Sequence, residues 1–377
     1  MAFNGDRLRI LRRFHNLTQR DLAERIGSPT TAITGYERGH REPKGIILDA
    51  LCAALSVDLE YFFASQPGDE FLEHETNFRS LLGTPDRLKK QVLAHATLFG
   101  TLLGVLTTKV KLPTLRLPSI RVTTLEDIEH AAEQCRAEWG VGTDAPIHDV
   151  TLMLERAGIV VTVLDREVSK KVDAFSRYGA TNLIVLNPAK GSTTRTRMDL
   201  AHEAAHGVLH QHGLPIEFGV REDQAKYFAS ALLLPQRAFA SEFCALAKRD
   251  WQSLIELKRR WGASVAAIVM RSYHLGLIDA AEYRRRYKEM SREGWLRGEP
   301  AEPNAESPQL FALALQRYQT ETGKSTRAIA DDLGWSPDLF RRVTGVDAVD
   351  VGPQGTEPDN ETVTSFEAYR LRKQANG

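Results

Sequence analysis

The sequence predicts a multidomain chain in which a small all-α unit is followed by an α+β unit and a helical carboxy-terminal extension. Three observations lead there. Residues 6–63 read as short helices separated by turn and cap residues. Ile159-Val-Val-Thr-Val-Leu164 and Asn182-Leu-Ile-Val-Leu186 read as strands set among helical segments, which is the pattern of an α+β unit. The stretch Pro300 to Pro308 is a linker by composition, with helical segments on both sides. At 377 residues, 42% of them hydrophobic, the chain is long enough to build two or three cores.

The first unit is read from its caps and apolar spacing. Thr18 and Asp21 form a capping pair opening a second helix, whose inner face is Leu22, Ala23 and Ile26. Gly27 permits a turn, Ser28 caps the next helix and Pro29 suits that helix's first position. Together with Leu17-Thr-Gln-Arg-Asp-Leu-Ala-Glu-Arg-Ile-Gly27 and Ile33-Thr-Gly-Tyr-Glu-Arg-Gly39, this region resembles a helix-turn-helix domain of the phage-repressor (XRE) class. The resemblance implies that the third helix enters the major groove of double-stranded DNA, presenting Thr30, Thr31 and Thr34 to base edges. Gln19, Arg38, Arg41 and Lys44 are then placed to hold phosphates, while Ile33 and Tyr36 are assigned to the core. Charge agrees with this orientation. The whole chain is neutral, with 49 basic and 49 acidic residues, yet residues 1–44 hold nine basic and five acidic groups. Residues 45–80 hold one basic and seven acidic groups, so positive charge is concentrated on the DNA-facing part.

The second unit carries His202-Glu203-x-x-His206. At about 3.6 residues per turn, two histidines four apart project from one helix face and can hold one metal ion, here expected to be Zn2+. Glu203 follows the first ligand directly and can serve as a general base toward water. Apolar Leu200, Ala201, Ala204, Ala205, Val208 and Leu209 would bury the helix, and burying these polar groups is costly unless they are paired or bound to metal. A third ligand is sought downstream. Glu222 shares the inward face of Ala225 and Ala229, which makes it the first choice, with Asp223 and Glu217 as poorer candidates.

Ala174-Phe-Ser, Asn182-Leu-Ile-Val-Leu-Asn187, Arg195-x-Arg-Met-Asp-Leu-Ala-His-Glu-x-x-His and Glu222-x-x-Ala-x-x-Phe-Ala-x-x-Leu-Leu-x-Pro235 together resemble the ImmA/IrrE family of zinc metallopeptidases over residues 121 to 290. Members of that family cleave a DNA-bound repressor or antitoxin. The resemblance implies a zincin-like metallopeptidase domain and a regulatory protein as substrate. One departure is Ala204-Ala205, where family members often have Leu-Gly. Alanine is small and a strong helix former, so the change is expected to be harmless.

The expected domains are therefore 1–66 (helix-turn-helix), 67–120 (helical arm and extended linker), 121–290 (metallopeptidase) and 291–377 (helical extension with a partly disordered tail). Pro67-Gly-Asp reads as a boundary, residues 69–110 as helical, and Val110 to Ser119 as a semi-rigid extended arm because its prolines disfavour helix. Helices are expected around Ile128 to Trp139 and Ile147 to Ala157. Ile329-Ala-x-x-Leu-Gly-Trp-Ser-Pro-x-Leu-Phe340 has a helix-turn-helix outline without a basic face, so a packing or sensing role is favoured over a second DNA reader. The first residues are too charged for a signal peptide, and apolar Val92 to Leu106 is short for a membrane span and contains His95. Cys52, Cys135 and Cys244 are odd in number and far apart, which favours a reducing cytoplasm and no disulfide; Cys244 is expected to be buried.

Peptide hydrolysis needs an extended substrate beside the metal, and strand addition supplies one. Asn182 to Asn187 is the expected substrate edge, presenting Asn182, Leu183, Ile184 and Val185. The oxyanion-stabilising residue is left open among Tyr178, Tyr227, His210 and His212. Two-fold operators in this class lead to an expected homodimer. The competing expectation is a transcriptional regulator whose metal site is sensory or structural and whose output is operator binding alone.

Overall fold

The computed structural model describes residues 2–64, 85–164, 174–179, 181–187, 191–211, 216–247 and 249–350. It shows a helical amino-terminal unit, a mixed unit built from helices and a small sheet, and a helical carboxy-terminal part. Pro67-Gly-Asp, the start of the expected 69–110 helix and the tail beyond 350 lie outside the described residues.

The amino-terminal unit comprises α1 (Gly5–Phe14), α2 (Gln19–Arg25), α3 (Thr30–Glu37) and α4 (Ile46–Leu55), followed by a 3-10 turn at Leu59–Phe62. The Asn4 side chain caps α1, and Thr18 and Asp21 form the reciprocal capping box that opens α2. Gly27 turns the chain at φ 66°. At α3 the boundary lies one residue later than expected: Pro29 occupies the cap position and no side chain caps the helix. Buried Glu37 locks α3 in place by accepting from Arg12 Nη2 at 3.0 Å and Gln19 Nε2 at 2.8 Å. A Cβ at Gly5 would lie 2.3 Å from the Tyr36 carbonyl oxygen, so glycine is needed where α1 crosses the end of α3.

The long apolar helix α5 (Asp86–Thr107) runs through the middle of this core, with Val92, Phe99, Leu102 and Leu106 fully buried. Its opposite side is covered by α14 (Leu310–Thr322), α15 (Thr326–Asp332) and α16 (Pro337–Thr344), whose Phe311 meets Phe99 with ring centroids 4.8 Å apart. Trp335, at the α15–α16 turn, bridges to Val57, and Asp58 N donates to the Gly334 carbonyl at 2.9 Å. In α16, Leu339, Phe340 and Val343 point inward, and the Arg342 guanidinium lies 4.9 Å from the Phe14 ring centroid. The carboxy-terminal helices therefore complete the amino-terminal core.

The second unit starts with α6 (Leu125–Glu138) and α7 (Val150–Arg156), followed by β1 (Val160–Val163), β2 (Phe175–Arg177) and β3 (Leu183–Leu186). After the sheet come α8 (Thr193–Leu209), α9 (Phe218–Leu233), α10 (Gln236–Ala245), α11 (Trp251–Trp261), α12 (Val265–His274) and α13 (Ala280–Arg292). The strand order is β1-β3-β2: β1 pairs with β3 in parallel, Val161 opposite Ile184, and β2 pairs with β3 antiparallel, Ser176 opposite Ile184. This corrects the expected substrate edge. Asn182, Leu183, Ile184 and Val185 belong to the central strand or its entry, and Leu183–Leu186 is paired on both sides and buried throughout. The physical reason is visible in the run Leu-Ile-Val-Leu, whose two faces are both apolar, so both must be covered.

Side chains alternate across the sheet. Val160, Phe175, Leu183 and Val185 face the core that contains α5 and α14, whereas Val161, Ile184 and Leu186 face the core that contains α8 and α9. The sheet is thus the partition between two cores. Residues 110–120 are extended but pinned rather than a free arm: Arg116 N donates to the Ala157 carbonyl, Trp139 Nε1 to the Arg116 carbonyl and Ile120 N to the Val208 carbonyl. Gly158, at φ 90°, allows this passage, since a Cβ there would lie 2.7 Å from the Leu115 backbone.

The stretch read as a linker is an anchored strap. Glu299 accepts from Val265 N and Ala266 N at the start of α12, Glu302 from Thr194 N at the start of α8, and Glu306 from Val150 N and Thr151 N at the start of α7. Three carboxylates of one short segment therefore meet three helix amino termini, where the partial positive charge favours them. Buried Lys258 joins Glu299 at 3.0 Å and Glu302 at 2.6 Å, and Arg197 joins Glu306 at 2.6 Å. In return, Glu155 accepts from Gln309 N and Leu310 N at the start of α14. Cys135 is buried, Cys52 half-buried and Cys244 exposed, which corrects the expected burial of Cys244: it lies on the solvent side of amphipathic α10, opposite Phe239 and Phe243. All three are free thiols. Among the described residues, no helix is long and apolar enough to cross a membrane.

Glu306→Ala should lower stability by about 3–5 kcal/mol in urea denaturation, because it removes the carboxylate paired with buried Arg197 and the acceptor of the Val150 and Thr151 amides. Burial pushes the Glu155 carboxyl from 4.5 up to about 7, against the Gln309 and Leu310 amides that favour its ionised form. Between those values the folded chain holds a proton that the unfolded chain releases. The contribution is therefore full below pH 4.5 and declines as pH rises through about 7. Glu155→Gln should flatten that part of the stability profile by about 1–3 kcal/mol, read from denaturation midpoints on either side of the window.

Candidate metal centre

The α8 helix packs along α9 through small side chains. Ala201, Ala204 and Ala205 on α8 and Ala225 and Ala229 on α9 are fully buried, which lets the two backbones approach closely. Ser192 caps α8 by accepting from Arg195 N. The i, i+4 spacing sets the His202 and His206 rings 4.8 Å apart, nearly perpendicular, and α9 brings Glu222 to both.

The donor distances fit a small tetrahedral cation. His202 Nε2 and His206 Nε2 are 3.2 Å apart, Glu222 Oε2 is 3.0 Å from the former, and Glu222 Oε1 is 3.3 Å from the latter. Ligand atoms on a tetrahedral centre with bonds of about 2.0–2.1 Å lie about 3.3 Å from one another. Two imidazoles and one carboxylate also match the donor chemistry of a three-ligand site. The side chains of His206 and Glu222 are 2% and 3% exposed, whereas that of His202 is 20% exposed, so the cluster opens to solvent on the His202 side. Burial pushes the Glu222 carboxyl up, but the two adjoining imidazoles outweigh it and leave the group well below the usual carboxylate range. Burial, together with the neighbouring His202, lowers His206 despite Glu222, favouring the neutral ring that a metal requires.

Glu203 is buried beside these groups. Ser176 Oγ, on the α8-facing side of β2, donates to Glu203 Oε2 at 2.6 Å, and the Tyr178 hydroxyl donates to the Glu203 carbonyl at 2.8 Å. Burial raises the Glu203 carboxyl well above its ordinary value, with Asp199 and Glu222 adding to the shift and the Ser176 hydrogen bond opposing it. A cation held by His202, His206 and Glu222 would supply the missing opposing charge.

Of the poorer ligand candidates, Asp223 points to solvent beside Lys226 and Glu217 is exposed at the start of α9. Among the residues weighed for an oxyanion, the Tyr178 hydroxyl is committed to Glu203, and Tyr227 stacks on His274 next to Arg271. His210 meets His206 at its other ring nitrogen, and His212 lies outside the described residues. Ser176 and Gln224 were not identified from the sequence, although alternation in Ala174-Phe-Ser is enough to place Ser176 opposite Phe175. On the amino-terminal unit, Thr30, Thr31, Arg38, Arg41 and Lys44 are exposed on or just after α3. Thr34 and Gln19 are half-buried and bonded to each other at 2.9 Å.

Comparison with known proteins places these features in context. Residues 154–273 match a peptidase family described as the IrrE N-terminal-like domain, and residues 8–62 match the Helix-turn-helix family. A Mycobacterium tuberculosis transcriptional regulator of known structure is 23% identical over 39% of this chain and 46% of its own, with a TM-score of 0.28. This chain thus spans about half the length of that regulator. No curated protein matches the chain. The protein therefore joins an amino-terminal domain of the Helix-turn-helix family to a domain of the IrrE N-terminal-like family.

Proposed function

We propose that this protein is a DNA-binding zinc metalloendopeptidase of the cytoplasm that cleaves a repressor or antitoxin-like regulatory protein in a stress, mobile-element or phage response. The observation that carries the reading is a three-donor cluster, His202, His206 and Glu222, open on the His202 side, with the buried Glu203 following His202 in the same helix. A purely structural zinc site closes its fourth position and needs no such carboxyl.

His202, His206 and Glu222 would hold the ion, and Zn2+ bound there supplies Lewis-acid polarisation of the scissile carbonyl and a more acidic water. Glu203 would take a proton from the attacking water and pass it to the leaving amine. Ser176 fixes one oxygen of the Glu203 carboxylate, so the second oxygen is the one that handles the proton. Substrate alignment is assigned to β2 in place of the central strand. Among the described residues, β2 has one strand neighbour, it packs against α8, and it carries the serine that meets Glu203. Operator binding by α3, in a homodimer matched to a two-fold site, would bring the peptidase to a DNA-bound substrate.

Elemental analysis should give about one zinc per chain, with binding lost or weakened in Glu222→Ala. Glu203→Gln should abolish cleavage of the cognate regulator while leaving zinc and DNA binding intact. A Glu203→Gln strain that regulates its target genes normally would leave operator binding as the whole output and sink the peptidase reading. On DNA, removing Arg38, Arg41 or Lys44 should weaken binding about equally on all sequences and reduce the salt slope by about one per residue. Changing Thr30 or Thr31 should instead alter sequence preference, as read by selection from a random duplex pool.

A further inference from the structure

Beyond the three donors, the cluster continues as a chain of ring nitrogens. His206 Nδ1 faces His210 Nδ1 at 2.9 Å, and His210 Nε2 faces Gln224 Oε1 at 3.1 Å. We infer that His210 and Gln224 form a relay that holds buried His206 in the one tautomer able to bind a metal. The inference rests on the reading of His202, His206 and Glu222 as a metal site.

A neutral imidazole carries a single N–H, on one nitrogen or the other. His206 presents Nε2 to His202 and Glu222, so Nε2 must be bare to serve as a ligand and the proton must sit on Nδ1. Two Nδ1 atoms at hydrogen-bond distance require one to donate and the other to accept. Gln224 settles the direction. Its amide oxygen can only accept, so His210 carries its proton on Nε2 and offers a lone pair at Nδ1. That lone pair accepts the Nδ1 proton of His206 and so competes with the Glu222 carboxylate, 3.3 Å from His206 Nε2, which would otherwise draw the proton onto Nε2. The same geometry removes His210 from the ligand set, because it meets His206 on the side away from Glu222.

The relay needs little of the sequence. His210 repeats the four-residue spacing that relates His202 to His206, so it stands about one turn further on, at the residue that ends α8. Gln224 comes from α9, the helix that supplies Glu222, so one packing event fixes both the third ligand and the end of the relay. His210 and Gln224 are thus positioning residues, acting on the metal through His206.

The experiment uses the full chain, zinc competition against a chromogenic chelator, and nitrogen NMR of histidine-labelled, metal-free protein. His210→Ala and Gln224→Lys should weaken zinc binding about 10–100-fold, the lysine because it presents only donors to His210, whereas Gln224→Glu keeps an acceptor and should bind within about threefold of wild type. In the metal-free wild type, His206 should carry its proton on Nδ1, and in Gln224→Lys it should move toward Nε2. A wild-type His206 protonated on Nε2, or Gln224→Lys binding zinc as tightly as wild type, would overturn the relay. Because the tautomer is read without metal, it tests the relay even if the wild type takes up no zinc, an outcome that would instead remove the proposed function. Half-buried Gln224 can be changed without opening a core cavity, so its variants stay informative if His210→Ala fails to fold.

Discussion

Burial of two imidazoles and a carboxylate between α8 and α9 is the constraint on which the rest of this structure depends. Removing such groups from water is costly unless they meet one another or a cation. Here they are held within 4.8 Å of one another by helices that approach closely through alanines. Any slip of α9 along α8 would separate buried Glu222 from both histidines and leave the buried His206 ring without its carboxylate. Much of the surrounding structure prevents that slip: Ser192 and Glu302 at the start of α8, Arg197 bound to Glu306, and Arg271 of α12 paired with Glu129 of α6 while donating to the carbonyl that ends α9.

The same elements tie the two functional parts together. The sheet belongs to both cores, with Ile184 turned toward the core shared with α8 and α9 and Leu183 and Val185 toward the core shared with α1, α5 and α14. The strap from Glu299 to Gln309 then runs between the two cores, fastened at each end by carboxylates at helix amino termini. A helix-turn-helix unit with exposed basic residues and a polar cluster suited to a metal are therefore joined by packed secondary structure rather than by a free linker.

Much of the candidate site could be read directly because its groups are local. His202, Glu203 and His206 share five residues of one helix, and helical geometry alone brings the histidines together. Glu222 followed from the face shared by Ala225 and Ala229. Ser176 and Gln224 could not be found in this way, since each acts across a strand–helix or helix–helix contact that no local spacing specifies. The error over β3 is more instructive. An uninterrupted apolar run signals burial on both faces, hence a central strand, whereas Phe175-Ser-Arg mixes apolar and polar positions as an edge strand can.

By itself the sequence determined the capping box at Thr18 and Asp21, the turn at Gly27, the apolar face of α8 and the pairing of His202 with His206 on one side of it, because each depends on residues one or two helical turns apart. Tertiary structure alone decided the strand order, the exposure of Cys244, the pinning of residues 110–120, and the conversion of a proline- and glutamate-rich linker into a strap. Those outcomes depend on which distant surfaces remain to be covered once the local elements have formed. Glu302 and Glu306 show the difference: in sequence they are charges on a linker, and in the fold each meets the amino terminus of a helix that lies up to 156 residues away.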